Sequence, residues 1–207
     1  MKITKIMALT GLCMALQLVS CTTKAQSSKT VKAAMANTKV LVPNPSKYVS
    51  SPVRNRIKLN LNASLPEVWE MVGKPEHMPH YSAGLEKVDA QYAAGKCTEF
   101  TCHFVPMEGQ TEGLKHTEKV VWYENQLGYI SQSEEPNNYG YTEGLALVQV
   151  SKTEQGALFS WDIHYNAPDD ATLHMNIEAY QMALDDIAAN LIKKFGGQVL
   201  ESYAFKQ

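Results

Sequence analysis

Hydrophobic residues recur on one helical face near the C-terminus, between residues 171 and 195. The members of this stripe are spaced three and four positions apart: Leu173, Ile177, Tyr180, Leu184, Ile187 and Leu191. That spacing predicts an amphipathic α-helix. A helix of about 25 residues is about 37 Å long, which is enough to cross a small domain. Its apolar face therefore requires a broad partner surface, such as a sheet.

The residues at both ends of this stretch support the same helix. Asp169 and Asp170 lie where acidic side chains stabilise a helix N-terminus, and Lys193 and Lys194 fall in the last turn. The glycines at 196 and 197 favour termination directly after that turn. We therefore predict a helix at about 171–195.

The segments before this helix alternate between apolar and polar residues. Ile57, Leu59 and Leu61 share one face of a first strand. Ser64 and Glu67 then form the capping-box pattern of a short helix, and a Pro-bounded segment at 74–82 predicts a second one. Six further strands are predicted at 85–92, 97–105, 114–124, 127–133, 143–153 and 157–166. Because their connections are short, the sheet is predicted to be antiparallel. Residues 198–205 stay unassigned.

The N-terminal residues differ in composition from the rest of the chain. Lys2 and Lys5 precede an apolar run at 6–18, whose length suits a secretory signal better than a membrane span. The run ends in Leu-Val-Ser-Cys at 18–21, which resembles the lipobox of bacterial lipoproteins. That resemblance implies cleavage before Cys21, acylation of Cys21, and anchoring in the bacterial cell envelope on a periplasmic or outer-membrane face. An ordinary cleaved signal is the alternative interpretation.

Residues 22–52 are rich in Ser, Thr, Lys, Ala, Asn and Pro, a composition typical of a flexible tether. We therefore predict a signal peptide at 1–20, a lipidated cysteine with its tether at 21–52, and one folded domain at 53–207. A short apolar run at 40–42 is able to pack onto that domain, so composition does not fix where the tether ends and the domain begins.

The order of one strand, two short helices, six strands and one long helix resembles the Bet v 1/START-like (SRPBCC) superfamily, in particular its bacterial polyketide cyclase/dehydrase and lipid-transport branch. The likeness rests on the strand at 57–61, the helix at 64–72, the Pro-containing segment that ends at Tyr81, and the final helix. Many bacterial members have tryptophan at the position of Tyr81. The resemblance implies an α+β helix-grip fold, in which a curved antiparallel sheet wraps around the long C-terminal helix and encloses a cavity.

In such a fold the inward strand faces and one side of the long helix line the cavity. Tyr81 and Tyr141 are expected near its mouth, and His116, in phase with Trp122, is expected to place a polar group inside. Met182 is a further wall candidate. For each aromatic residue, ordinary core packing is the alternative. The resemblance implies these ligand-binding residues: Tyr81, Phe100, Phe104, His116, Trp122, Tyr141, Phe159, Trp161, Met175 and Tyr180.

Sequence motifs of established catalytic chemistry are missing. The chain has no Gly-x-Ser-x-Gly elbow, no phosphate-binding glycine loop and no His-Glu-x-x-His. His77 and His80 lack an evident third ligand, so we predict neither a metal site nor a cofactor. His116 and Glu118 share a strand face and are a candidate acid–base pair, or else part of a solvated face.

Two cysteines, Cys97 and Cys102, remain beyond the signal and the lipobox. They lie five apart on one predicted strand, so they are expected on opposite faces, as free thiols, unless a bulge intervenes.

The charge of the chain narrows the choice of partners. The formal net charge of −2 is spread without a basic patch, so nucleic acid is not an expected partner. The preferred hypothesis is a lipid-anchored domain that binds a hydrophobic small molecule or lipid. The alternatives are a cyclase or dehydratase acting on an aromatic or polyketide-like substrate, and a protein-interaction module with a filled core.

Overall fold

The computed structural model of the protein describes residues 40–133 and 140–205. The predicted signal peptide, the predicted lipidation site Cys21 and tether residues 22–39 lie outside the described residues. From Leu41 to Gln207 the chain forms one compact unit. Within the described ranges, no helix is both long enough and apolar enough to cross a membrane.

Eight strands in the described part of the chain form one antiparallel sheet, in the order β2-β3-β4-β5-β6-β7-β1-β8. The six strands predicted after the first each lie within one residue of their expected bounds, and the first strand, which contains Ile57, Leu59 and Leu61, begins at Val53. The strands are β1 (Val53–Leu61), β2 (Leu85–Ala93), β3 (Lys96–Phe104), β4 (Lys115–Glu124), β5 (Gly128–Ser133), β6 (Glu143–Lys152), β7 (Ala157–Asn166) and β8 (Gly197–Ala204).

The helices form where their capping residues predict. In α1 (Leu65–Val72), Glu67 accepts hydrogen bonds from Ser64 N at 2.9 Å and from Ser64 Oγ at 2.6 Å. In α2 (Asp170–Phe195), the carboxylate of Asp169 accepts from Thr172 N at 2.8 Å. Short 3₁₀ helices occur at Pro45–Lys47 and Pro75–His80. The long C-terminal helix of the sequence analysis is confirmed.

The curved sheet packs its inner face against α2, which confirms the α+β helix-grip fold. The apolar stripe of α2 joins a core with residues of β1, β3, β7 and α1. A buried polar contact fixes the helix as well: Asn55 Nδ2 on β1 donates to the Ile177 carbonyl at 2.9 Å and to Gln181 Oε1 at 3.1 Å. The long helix therefore forms one wall of the space between itself and the inner face of the sheet.

A further strand follows α2 directly. Gly196 closes the helix with φ of 70°, and β8 follows at once and pairs with β1. The sequence analysis left residues 198–205 unassigned, because an edge strand with few buried side chains carries a weak alternation signal.

The two thiols share a face, contrary to the sequence expectation. A register shift between Gln91 and Tyr92 pairs Tyr92 with Cys97, so Thr98 is the extra residue of a β-bulge in β3. A bulge reverses the alternation beyond it. Cys97 and Cys102 are consequently both buried in the core, as free cysteines.

Residues 41–52, here called the N-terminal strap, pack on the outer face of the sheet. Val49 is buried there against Ile130, Leu145 and Leu147. Ser50 Oγ donates to Glu143 Oε1 at 2.8 Å, and Gln132 Nε2 donates to the Tyr48 carbonyl at 3.1 Å. These residues, assigned by composition to the tether, belong to the compact unit.

Candidate functional site

A partly enclosed cavity of about 100 Å³ lies between α2 and the inner face of the sheet. Its wall is largely apolar, and its polar groups come mainly from β3 and β4. The lining residues are Met78, Ser82, Leu85, Phe100, Cys102, Phe104, His116, Glu118, Trp161, Ile163, Tyr180, Ala183, Leu184 and Ile187. We call this space the apolar chamber.

A second space of about 60 Å³ adjoins the first, and we call it the polar chamber. Both chambers are lined by Glu118, Trp161, Ile163 and Tyr180, so these four side chains stand between them. The polar chamber adds Ser133, Tyr141 and Tyr165 among others. Its aromatic wall is closely packed, since the Tyr165 and Tyr180 ring centroids lie 5.3 Å apart.

Four polar side chains meet where the two chambers adjoin. His116 Nε2 lies 3.2 Å from Ser133 Oγ, 3.3 Å from Tyr141 OH and 3.5 Å from Glu118 Oε1. Ser133 Oγ and Tyr141 OH are 2.8 Å apart, and Tyr180 OH lies 3.4 Å from Tyr141 OH. His116 and Tyr141 are both buried. We call His116, Glu118, Ser133 and Tyr141 the polar cluster.

The backbone register explains why these groups meet. His116 and Glu118 alternate inward on β4, and Glu118 pairs with Ser133 of β5. Ser131 Oγ donates to Glu118 Oε2, which holds that carboxyl group in place from one side. Its second oxygen, Oε1, faces His116. The cluster therefore combines an acid, an imidazole and two hydroxyl groups, the components of general acid–base chemistry.

Trp161 brings a donor that no described residue uses. Its Nε1 is buried and has no hydrogen-bond partner in the part of the chain that the structure describes. Burying an unpartnered polar group costs free energy. Other atoms of Trp161 line both chambers, but Nε1 has almost no accessible surface and faces neither of them.

The structure places six of the ten predicted ligand-binding residues on the two chambers. Phe100, Phe104 and His116 line the apolar chamber, Tyr141 lines the polar chamber, and Trp161 and Tyr180 line both. Tyr81 and Phe159 line neither chamber. They are buried in the core, and burial raises the pKa of the Tyr81 phenol far above its ordinary range. Tyr81 thus packs in the core instead of closing a mouth.

Trp122 faces away from the cavity because a β-bulge intervenes. The register of β4 against β5 shifts between Val120 and Trp122, so the alternation that puts His116 inside reverses before Trp122. Tyr123 takes the inward position and packs against Trp69. Trp122 instead packs near the N-terminal strap on the outer face. The predicted phase relation between His116 and Trp122 was wrong.

Met175 and Met182 are also misplaced by the sequence analysis. They are 61% and 74% exposed and lie on the solvent side of α2. Each stands two residues from a member of the buried stripe, which corresponds to about 200° around a helix. Methionine was assigned to the wall for its chemistry, whereas the helical angle decides its position.

Several lining residues were missed by the sequence analysis. Ser133, Met78 and Leu85 carried no motif. Tyr129, Ser131 and Ser133 share one face of β5, but both faces of this strand are covered, so alternation does not single out Ser133. The polar cluster as a whole depends on pairing between strands, which a local pattern does not specify.

Cys102 lines the apolar chamber directly opposite His116 in the register of β3 and β4. Burial and the neighbouring Glu118 raise the pKa of the Cys102 thiol far above its ordinary value. Burial likewise raises the pKa of Cys97 to about 11. Both thiols are therefore protonated near neutral pH and lack the thiolate character of a nucleophile.

Metal-ligating side chains are not clustered in the ranges that the structure describes: no group of three His, Cys, Asp or Glu residues is placed to hold an ion. The rings of His77 and His80 lie 5.7 Å apart, outside the two chambers.

The chain resembles proteins of known structure in its fold. No family model and no curated protein sequence matches the chain. The protein XoxI from Bacillus cereus is similar in structure, with 13% identity and a TM-score of 0.57 over 70% of this chain and 96% of that one. A START superfamily protein from Mycobacterium smegmatis is similar with 12% identity and a TM-score of 0.51, over 68% of this chain and 97% of that one. Major latex-like protein 151 from Panax ginseng is similar with 14% identity and a TM-score of 0.53, over 70% of this chain and 99% of that one. These similarities support the Bet v 1/START-like fold.

Proposed function

We propose that this protein binds a compact hydrophobic small molecule in the apolar chamber. The observation that carries the proposal is a partly enclosed space with a largely apolar wall that includes Phe100, Phe104 and Leu184, and to which His116 and Glu118 add polar groups. Ligand sites are typically concave and mostly apolar, with a few polar groups that fix orientation. The similarity to a START superfamily protein agrees with a fold that encloses a ligand.

The size of the space favours a small ligand over a membrane lipid. Cavities for drug-sized ligands measure roughly 300–1,000 Å³, whereas the apolar chamber measures about 100 Å³. A lipid with a full acyl chain requires the two chambers to join and widen. The presence of this space also disfavours an interaction module with a filled core.

Binding is tested by native mass spectrometry of the gently purified protein, followed by titration with propylbenzene and 4-propylphenol. We expect one bound molecule per chain and a rise in melting temperature. Phe100→Trp fills the chamber from its wall and should weaken binding of both probes, whereas the exposed Tyr92→Trp should not. Failure of both probes, together with a clean apo mass, contradicts the proposal.

We propose further that the domain is held at a membrane of the bacterial cell envelope through lipid on Cys21. The support is the Leu-Val-Ser-Cys run at 18–21 that follows a signal-like apolar stretch. The tether that remains between Cys21 and the compact unit, residues 22–40, gives a reach of about 24 Å, so the domain is able to meet ligand that leaves the bilayer. Growth with an alkyne fatty acid should label the wild-type chain but not Cys21→Ser. Equal labelling of the two chains rejects the anchor.

A second function, acid–base catalysis on the bound molecule, is supported by the polar cluster. His116 Nε2 and Glu118 Oε1 lie 3.5 Å apart beside two hydroxyl groups, an arrangement suited to general acid–base catalysis. His116→Asn separates the two functions. It should abolish turnover of an aromatic or polyketide-like substrate in an enzyme, but alter only affinity in a carrier.

A further inference from the structure

We infer that the ligand is a compact aromatic molecule with a cationic amine, whose ammonium group pairs with Glu118. This inference rests on the proposed binding function and names the chemical class of its ligand. Three observations carry it: an acidic side chain on the wall of both chambers, the absence of lysine and arginine from the described residues of that wall, and the aromatic side chains around the acid.

Glu118 keeps one of its two carboxyl oxygens available to the chambers. Oε2 accepts a hydrogen bond from Ser131 Oγ, whereas Oε1 lies 3.5 Å from His116 Nε2, at the long limit of a hydrogen bond. Oε1 retains accessible surface, because it is not among the polar atoms that are buried without a partner in the described ranges. The side chain is 17% exposed and lines both chambers. An ammonium group in the chambers is therefore able to donate to it.

The hydroxyl groups of the polar cluster offer His116 other partners than Glu118. Its Nε2 lies 3.2 Å from Ser133 Oγ and 3.3 Å from Tyr141 OH, closer than to Glu118 Oε1. These two hydroxyl groups are 2.8 Å apart, and Tyr180 OH donates to Tyr141 OH at 3.4 Å. The hydroxyl protons are accommodated when each group donates to the next and the last donates to Nε2 of a neutral imidazole. His116 then donates nothing to Glu118 from Nε2, and a ligand donor fits there.

Basic side chains other than His116 are missing from the described walls of both chambers. No lysine or arginine is among the described lining residues. Arg54 reaches the back of the polar chamber, where its guanidinium donates to the Tyr165 carbonyl and to Asn166 Oδ1, both at 3.1 Å, but it is not a lining residue. A buried charge requires a paired charge or hydrogen bonds. A ligand cation supplies that pair for Glu118, whereas a ligand carboxylate adds a second negative charge.

Aromatic side chains make the surroundings of Glu118 suitable for an ammonium group. A cation next to an aromatic ring is attracted by the negative face of the ring, and the attraction grows where water is excluded. The aromatic part of the ligand packs against the same kind of wall. The aromatic residues that line one or both chambers are Phe100, Phe104, Tyr141, Trp161, Tyr165 and Tyr180.

A second acidic side chain lies at the rim of the apolar chamber. Ala183 lines this chamber and is itself exposed, so the chamber opens to solvent beside this part of α2. Asp186, about one turn further along α2, accepts a hydrogen bond from Ala83 N at 3.0 Å, and Ala83 follows the lining residue Ser82. Negative charge at the opening raises the local concentration of a cationic ligand.

Four probes of nearly one size test the inference by calorimetric titration of the purified protein: benzylamine, benzyl alcohol, ethylbenzene and benzoate. At neutral pH the amine is a cation and the benzoate an anion, and the other two are uncharged. We expect benzylamine to bind at least about tenfold more tightly than benzyl alcohol and ethylbenzene, since a hydrogen bond to a charged group has that strength. Benzoate should bind most weakly.

One variant assigns the preference to Glu118. Glu118→Gln keeps the shape of the side chain and removes its charge, so it should weaken benzylamine binding by at least about tenfold and leave ethylbenzene binding unchanged. Glu99→Gln is the matched control. Glu99 lies outside both chambers, where it accepts from Gln91 Nε2 at 2.7 Å, and its replacement should preserve the wild-type order of the probes.

The outcomes separate this inference from the proposed function. If benzyl alcohol, ethylbenzene or benzoate binds as tightly as benzylamine, the chamber binds ligands but the amine inference is overturned. The same holds if propylbenzene or 4-propylphenol binds and benzylamine does not. If none of these molecules binds, the proposed function itself fails. The order measured on the wild-type protein decides the ligand class even if Glu118→Gln fails to fold. A benzylamine preference that survives in a folded Glu118→Gln overturns the assignment to Glu118.

Discussion

At the scale of single residues, Asn55 connects the sheet to the long helix. It is fully buried on β1, where its amide donates to the Ile177 carbonyl and to Gln181, and its Oδ1 accepts from Tyr165 OH at 2.8 Å. Buried polar groups stabilise a fold when they are fully paired, and removal of one partner leaves the others unsatisfied. Asn55 thus fixes the position of α2 above the chambers.

We predict that Asn55→Ala lowers the free energy of unfolding by about 1–3 kcal/mol, because the Tyr165 hydroxyl and the Ile177 carbonyl lose a buried partner. Urea denaturation measures the loss. Asn60→Ala, on the opposite face of the same strand, serves as the control and should have a much smaller effect. Equal losses in both variants contradict the special role of Asn55.

We predict that His164 makes the stability of the domain depend on pH. Its Nδ1 donates to the Ser51 carbonyl at 3.2 Å, and its Nε2 is buried with no hydrogen-bond partner in the described ranges. Burial lowers the pKa of His164 below its ordinary value, although the Ser51 carbonyl and Asp162 oppose that change. In the unfolded chain the imidazole takes up a proton near pH 6.5, about where a free histidine titrates.

The unfolded state therefore binds more protons than the folded state below that pH. The contribution of His164 to the free energy of unfolding is complete above about pH 6.5. It is lost as the pH falls through the lower pKa that His164 has in the folded state. We predict that His164→Asn flattens the loss of stability in this acidic range, measured by urea denaturation at several pH values. His174→Asn, an exposed histidine on α2, should leave the wild-type pH profile unchanged. A wild-type profile in His164→Asn refutes the assignment.

At the scale of elements, the junction between α2 and β8 depends on glycine. Gly197 has φ of 117°, and a Cβ atom at this position would lie 2.0 Å from the Asn60 carbonyl oxygen on the neighbouring strand. Both the backbone conformation and the close approach exclude a larger side chain. The close approach lets β8 pair with β1 immediately after the helix ends.

We predict that Gly197→Ala lowers the free energy of unfolding by about 1–3 kcal/mol, as expected for strain at a positive φ. Hydrogen exchange should accelerate in β8 more than in β7, because only β8 is displaced. Gly84→Ala is the control, since an added Cβ there meets no atom within 4 Å. Unchanged exchange in β8 rejects this account.

The sequence predicted the helices and strands well, but it predicted only in part which of their residues face the core. Helix α2 follows from its apolar stripe and caps, and seven strands follow from alternation, because these signals are local. Trp122 and Cys97 were misplaced because a β-bulge reverses alternation, and no motif announces the extra residue. The meeting of His116 with Ser133 and Tyr141 depends on strand register, which is set by the whole sheet.

At the scale of the whole molecule, the helix-grip fold determines how large a ligand fits. Tyr180 of α2 stands between the two chambers, with its ring 5.3 Å from that of Tyr165 and 6.5 Å from that of Tyr141. The sequence predicted a cavity only through its resemblance to a superfamily. The division into two small spaces is set by side-chain packing across α2, β6 and β7, which no linear pattern contains.

We predict that Tyr180→Ala joins the two chambers and shifts binding towards longer molecules. Each buried methylene contributes about 0.8 kcal/mol, so 4-octylphenol should gain at least about tenfold in affinity relative to 4-propylphenol, as measured by calorimetric titration. Tyr180→Phe is the control. It keeps the ring and removes the hydroxyl group that lies 3.4 Å from Tyr141 OH, so it should retain the wild-type preference for the short chain. If 4-octylphenol already binds the wild-type protein as tightly as the alanine variant, the tyrosine does not limit ligand size, and α2 must move away from the sheet to admit long ligands.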